Sequence, residues 1–218
     1  MKVQLENYIE HTLLKSDATK EELLQLFSDA MKYNFHCVCV NPVNVKFAQE
    51  NLKLSDVNVC CVIGFPLGAT PTEVKVYEAA IALRDGADEL DMVMNLGAFK
   101  DKDYNEVKKD ISSVKSISTV PVKVIIETDL LSPEEVKIAT QLVVDSGADF
   151  VKTSTGFLKN GVGAKVEDIK AMAEIAHANG VMVKASGGIK TKAQALALIE
   201  AGADRLGTSS GVAIINEN

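Results

Sequence analysis

The sequence predicts an α/β protein folded as one (β/α)8 barrel over residues 1–218, and three observations predict it. Apolar, β-branched runs alternate with amphipathic, charged segments from one end of the chain to the other. A short phrase recurs where a helical pattern gives way to a strand pattern: DGAD (85–88), SGAD (146–149) and AGAD (201–204). Each places a glycine where a helix can stop in the left-handed conformation and an aspartate where the next strand begins. No linker or low-complexity stretch divides the chain, and a barrel of this length is ordinarily one domain. An open, doubly wound sheet competes, but no G-x-G-x-x-G follows the first strand pattern.

The first strand is expected at 10–14 (EHTLL), before a helix at 18–32. Strands at 36–40 (HCVCV) and 58–64 (NVCCVIG) follow. A helix at 71–85 opens on Thr70-Pro71-Thr72-Glu73, with a capping oxygen and a proline in its first turn. The pattern continues with a strand at 88–94, a helix at 103–116 and a strand at 121–127. Ser132-Pro133-Glu134-Glu135 then caps a helix at 133–146. Strands at 148–153, 180–185 and 203–207 alternate with helices at 166–179 and 191–201, the last capped by Thr191. The repeated phrases stand about two βα units apart, at roughly thirty residues each.

Composition narrows the partners. A net charge of −7 and pI near 5.1 argue against nucleic acid or an anionic membrane surface, so a phosphate on a substrate must be held by local groups. No segment has the run of about 18 apolar residues that a membrane helix needs, and the N-terminus lacks a signal-peptide core. The expectation is a cytoplasmic protein. Cys37-x-Cys39 and Cys60-Cys61 lie inside apolar strand patterns and read as buried small hydrophobes rather than a disulfide framework or zinc site. The spacing of His11, His36 and His177 suggests no metal centre, and neither a metal nor an organic cofactor is expected.

Chemistry is expected at the C-terminal ends of the barrel strands. Two lysines stand there against the usual rule that strand interiors are apolar: Lys152 in DFVKTSTGF and Lys184 in VMVKASGGI. A buried ammonium must be paired or chemically employed, and two in one interior repel each other. One is thereby pushed towards the neutral, nucleophilic amine that attacks a carbonyl. Asp91, alone among Leu90, Met92, Val93 and Met94, is expected on the inner face with Glu89 and Val93, Glu89 being deeper and structural. Strand five offers Glu127, and strand two ends with Cys39-x-Asn41-Pro42. Gly187-Gly188 and Gly207-Thr208-Ser209-Ser210-Gly211, on adjacent loops after strands seven and eight, suit a phosphate held by backbone N–H groups, and Gly156 offers another amide.

The segments IEHTLLK, DELDMVMN, KVIIET, FVKTSTGF, VKASGGIKT and RLGTSSG together resemble the 2-deoxy-D-ribose-5-phosphate aldolase family over nearly the whole chain. The resemblance implies a TIM barrel and a class I lyase that reversibly cleaves 2-deoxy-D-ribose 5-phosphate to acetaldehyde and D-glyceraldehyde 3-phosphate. It implies Lys152 as the Schiff-base lysine, Lys184 as a protonated lysine that keeps it uncharged, and Asp91 as the proton donor and acceptor. Substrate and phosphate contacts are expected at Gly156, Gly187, Gly188, Ser209 and Ser210, with Thr155 and Ser154 near the sugar hydroxyls. Glu10 and Cys39 are expected close to the substrate. The partner is a small phosphosugar, and the ring of outer helices could support a homo-oligomer, a dimer or tetramer.

Three positions depart from the family pattern. Glu10 stands where members commonly carry aspartate, and Phe157 where some carry lysine. The chain closes on INEN (215–218) without the terminal tyrosine of many members, which implies slower protonation of the enamine. Another lysine-dependent phosphosugar aldolase and a non-catalytic phosphometabolite-binding barrel remain as competing readings. A phosphosugar isomerase is weaker, because no histidine stands at a strand's C-terminal end.

Overall fold

The computed structural model describes residues 3–217; the last residue of the INEN segment lies outside that range. Eight parallel strands close into a barrel: β1 (Ile9–Leu13), β2 (Cys37–Val40), β3 (Asn58–Ile63), β4 (Glu89–Val93), β5 (Val122–Ile125), β6 (Phe150–Lys152), β7 (Met182–Ser186) and β8 (Arg205–Thr208). Each pairs with the next, and β8 returns to β1. Every expected strand is present within two residues at either end.

The outer ring comprises α1 (Lys20–Tyr33), α2 (Val45–Leu52), α3 (Thr72–Arg84), α4 (Leu96–Lys100), α5 (Tyr104–Ile117), α6 (Pro133–Asp145), α7 (Val166–Ala178), α8 (Lys192–Glu200) and α9 (Gly211–Asn216). The six expected helices are all present. Capping boxes on Thr19, Ser132 and Thr191 pair each cap hydroxyl with the N3 amide and return the N3 side chain to the cap N–H. The sequence reading missed α2, α4 and α9. Buried Val45, Ala48 and Leu52 do carry a helical spacing in α2, but a turn opening on Pro42 precedes it. The other two are five and six residues long, too short to show a period.

The recurring phrase does more than end helices. Asp88, Asp149 and Asp204 each accept, through a side-chain oxygen, the backbone N–H near the start of the preceding strand: Val59, Val122 and Val183, at 2.7–2.9 Å. Each aspartate's own N–H returns to the carbonyl of that same valine. The three turns thereby pin β3 to β4, β5 to β6 and β7 to β8 at the bottom of the barrel, satisfying donors that would otherwise be unpaired at a strand end.

Alternation along the strands separates two interiors. Outward residues such as Val38, Cys61, Leu90, Met92, Val124, Val151 and Leu206 join the helices in one apolar layer. The inward set is different in kind. It holds Glu10, Cys37, Cys39, Cys60, Glu89, Asp91, Lys123, Lys152 and Lys184, all buried.

Candidate active site

Six charged side chains occupy the barrel centre, three lysines and three carboxylates. Asp91 lies at the middle. Its Oδ2 accepts from Lys152 Nζ at 2.5 Å and from Lys184 Nζ at 2.6 Å, while its Oδ1 accepts from Lys123 Nζ at 3.0 Å. Lys184 also donates to Glu10, and Lys123 to Glu89. Register explains the convergence: Lys152 pairs with Lys184 across β6 and β7, and Asp91 with Lys123 across β4 and β5, so each pair points the same way. Sharing one oxygen, the Lys152 and Lys184 nitrogens lie within roughly 5 Å of each other, inside the range over which charges perturb one another.

Burial by itself would raise the Asp91 carboxyl, but Lys123, Lys152 and Lys184 hold it well below the usual carboxylate range. Burial likewise works against the Lys184 ammonium. Asp91 and Glu10 overcome it and lift Lys184 well above the ordinary lysine value. Lys123 is raised in the same manner, chiefly by Asp91 against burial. Glu89, which burial would raise, is held down at about 2 by Lys123 and by His36, whose Nε2 lies 3.0 Å from it. Lys123 and Lys184 are therefore fixed cations among three carboxylates.

A cavity of about 540 Å³ opens above this cluster at the C-terminal ends of the strands. Of the six charged residues only Lys152 lines it, with 4% of its surface exposed, while Lys184 and Asp91 are fully covered. Residue types alone leave the two strand-end lysines equivalent; depth separates them. Gly156, Gly187, Gly188, Ser209 and Ser210 also line the cavity, as expected of a phosphate end. Their loops meet backbone to backbone. A Cβ on Gly188 would stand 2.4 Å from the Val162 carbonyl oxygen, and one on Gly163 would stand 2.3 Å from that of Gly187. Both glycines have positive φ, so no other residue fits there without displacing the loop. Thr208 Oγ1 donates to the Ile189 carbonyl and accepts from Ser210 N–H, tying the two loops together.

Several expected contacts fall elsewhere. Glu10 and Cys39 do not line the cavity: both are fully buried beneath it, Glu10 as a partner of Lys184 and Cys39 on the inner wall of β2. Strand alternation points them inward, and closure of β1 against β2 and β8 sets them below Lys152. Thr155 lines the cavity, but its hydroxyl is committed, donating to Glu127 at 2.5 Å and accepting from Phe157 N–H at 3.1 Å. Glu127 therefore braces the β6 loop and does not join the lysines. The Ser154 hydroxyl is buried without a partner among the described residues. Phe157 packs edge-on against Phe65 with centroids 5.2 Å apart at the cavity wall.

Sequence reasoning missed Lys123, although its place in PVKVIIE, two residues before inward-facing Ile125, carried the signal. It also missed Lys15 and Lys190, exposed lysines on the cavity wall.

The aldolase family model described as DeoC/LacD matches residues 7–217. The chain belongs to the DeoC/LacD aldolase family. It is 56% identical over 218 residues to a deoxyribose-phosphate aldolase of Thermococcus gammatolerans, covering 98% of this chain and 96% of that protein. A Finegoldia magna protein of the same description is 51% identical, covering 98% and 99%. Among solved structures, a putative deoxyribose-phosphate aldolase from Coccidioides immitis superposes with a TM-score of 0.95 at 41% identity, covering 98% of this chain and 85% of that one. A deoxyribose phosphate aldolase from Aeropyrum pernix, described as a unique tetramer, superposes with a TM-score of 0.90 at 36% identity, covering 97% and 89%.

Proposed function

We infer that this member of the family is a class I deoxyribose-phosphate aldolase with Lys152 as its nucleophile. The observation that carries the assignment is the depth of the three lysines: Lys123 and Lys184 are locked among carboxylates under the floor, and Lys152 alone reaches the cavity. Asp91, 2.5 Å from the Lys152 nitrogen, orients it, and the ammonium of Lys184 on the same Asp91 oxygen favours the uncharged amine at position 152.

The open-chain aldehyde enters with its phosphate against the loops of Gly187-Gly188 and Ser209-Ser210. Exposed Lys190 adds positive charge to the same cavity wall, where Lys15 is already paired with Glu22 and Asp17. The Lys152 amine attacks C1 to give a carbinolamine, and loss of water gives an iminium. Three carboxylates facing two fixed ammoniums leave one negative charge, which the iminium cation neutralises; the interior is preorganised for that charge. Removal of the C3 hydroxyl proton then breaks C2–C3. Its electrons flow into the iminium, leaving an enamine on Lys152 and releasing D-glyceraldehyde 3-phosphate. Protonation at C2, with Asp91 and Lys184 as the proton-bearing pair beside the nitrogen, and hydrolysis release acetaldehyde. A cytoplasmic phosphosugar enzyme accords with the net charge of −7 and with the lack of any described helix long and apolar enough to cross a membrane. Homo-oligomerisation is proposed by analogy with the tetrameric relative.

Borohydride reduction in the presence of 2-deoxy-D-ribose 5-phosphate, followed by peptide mapping, tests the assignment. The adduct is expected on the peptide carrying Lys152 and absent from Lys152→Ala. An adduct on Lys184, or turnover without any adduct, would overturn it.

A further inference from the structure

Beneath the cavity the barrel brings two thiols, Cys39 and Cys60, against Asp91. Cys37 and Cys39 stand two apart on β2 and face inward together, and Cys60 lies directly beside Cys39 in the β2–β3 register. With Leu14 and Val62 they form a small cluster separate from the main core, which takes Cys61 from the outer face of β3. Ligand atoms of Cys39, Cys60 and Asp91 all lie within 4.8 Å of one another, with Cys60 Sγ 3.1 Å from Asp91 Oδ1. Cys37 Sγ instead donates to the Val38 carbonyl at 3.1 Å. Glu10, Cys60 and Glu89 make an overlapping set within the same span, and Glu10 Oε1 is buried without a hydrogen-bond partner among the described residues. The aldol chemistry above uses none of these thiols.

We propose that Cys39, Cys60 and Asp91 form an inhibitory site for one soft divalent cation of the zinc(II) and cadmium(II) class. Thiolate sulfur with one carboxylate oxygen is a donor set such ions favour. Tetrahedral zinc, with bonds of about 2.3 Å to sulfur, sets its ligands roughly 3.8 Å apart, so the side chains close in by about an ångström; the larger cadmium requires less. Two S–H bonds break, two metal–sulfur bonds form, two protons leave and no electrons move. The dication and two thiolates cancel, so the loaded site keeps the single negative charge of Asp91, and Lys123, 3.5 Å from Cys60 Sγ, stands beside it. A metal holding Asp91 withdraws the carboxylate that Lys152 and Lys184 share. Inhibition rests on the aldolase reading; binding does not. Because the three ligands are fully buried, loading waits on local opening and inhibition develops with time.

The reduced protein is incubated with cadmium chloride and desalted, and then bound cadmium, thiolate-to-cadmium absorbance and aldolase activity are read. One cadmium per chain is expected, with more than tenfold loss of activity that grows with incubation and returns on chelation. Cys61→Ala should behave in the same way. Cys60→Ala and Cys39→Ser should retain no cadmium and lose none of their own untreated activity to it. X-ray absorption at cadmium in the unmutated protein should count two sulfurs, a result independent of how the variants fold. No retained cadmium, undiminished retention by folded Cys60→Ala, or fewer than two sulfurs would overturn the site and leave the aldolase assignment standing. Full activity with cadmium on two sulfurs would overturn the inhibition and, with it, the part given to Asp91.

Discussion

Lys123→Met isolates what the buried charge pattern does for the fold. The lysine contacts Glu89, Asp91 Oδ1 at 3.0 Å and Glu10 Oε2 at 3.4 Å, and its nitrogen stands 5.7 Å from the Phe150 ring centroid. Methionine preserves most of the stem volume and removes the charge, so three buried carboxylates face two lysines. Breaking a buried ion pair by deleting one partner costs about 3–5 kcal/mol, because the survivor keeps its desolvation penalty. For a chain of this size each kcal/mol shifts Tm by roughly 2–4 °C, which gives a loss of about 6–20 °C at neutral pH.

The pH dependence of that loss has a definite sign. Glu89, held at about 2 in the fold, lies below the ordinary glutamate value of about 4.3, so it contributes stability that is complete above the latter and is lost as pH falls towards 2. The variant lacks the cation chiefly responsible for the depression. Its deficit is therefore largest at neutral pH and narrows as the native protein loses the same contribution in acid. Adding Glu89→Gln restores the charge count and should recover at least half the deficit. Urea unfolding at pH 7 and pH 3 reads all three chains. A Lys123→Met penalty below about 1 kcal/mol, or one indifferent to pH and to the second substitution, would refute the charge-balance reasoning.

Other outcomes follow from the same geometry. Asp149→Ala should cost about 1–3 kcal/mol in thermal unfolding, because Val122 N–H and Lys115 lose their shared partner. Lys190→Met should lower kcat/KM for the phosphorylated substrate about fivefold, an effect of roughly 1 kcal/mol that fades with salt and is absent with unphosphorylated 2-deoxyribose; Lys15→Met, whose ammonium is paired with Glu22, should lower it by less. Phe157→Lys should lower KM for the phosphosugar a few-fold by adding a cation to the cavity wall, while loss of the ring pair with Phe65 lowers stability by about 0.5–1.5 kcal/mol.

Most of the fold was legible because its signals are local. A strand such as NVCCVI and a capping box such as Ser132 with Glu135 declare themselves within a few residues. The phrase DGAD, with its two relatives, gave the period of the barrel before any contact was known. Its aspartates were read only as strand starts. That they also hold the preceding strand's N–H could not be read, since that contact joins residues 21–29 positions apart. The helices that escaped notice were the two too short to show a period and the one lying behind a proline turn.

The site divides along the same line. Lys152, Lys184 and Asp91 stood out because each breaks an apolar strand, a violation visible from its immediate neighbours. Lys123 breaks its strand just as plainly in VKVI, yet attention to strand ends passed over it. What no single strand reveals is depth. Glu10 and Cys39 carry chemistry-bearing groups on inward-facing positions, and only closure of β1 against β2 and β8 shows that they sit under the lysines and off the cavity wall. Depth also assigns the roles. A lysine enclosed by carboxylates is a fixed charge, and the one whose nitrogen also meets open space is the one that can attack a carbonyl there.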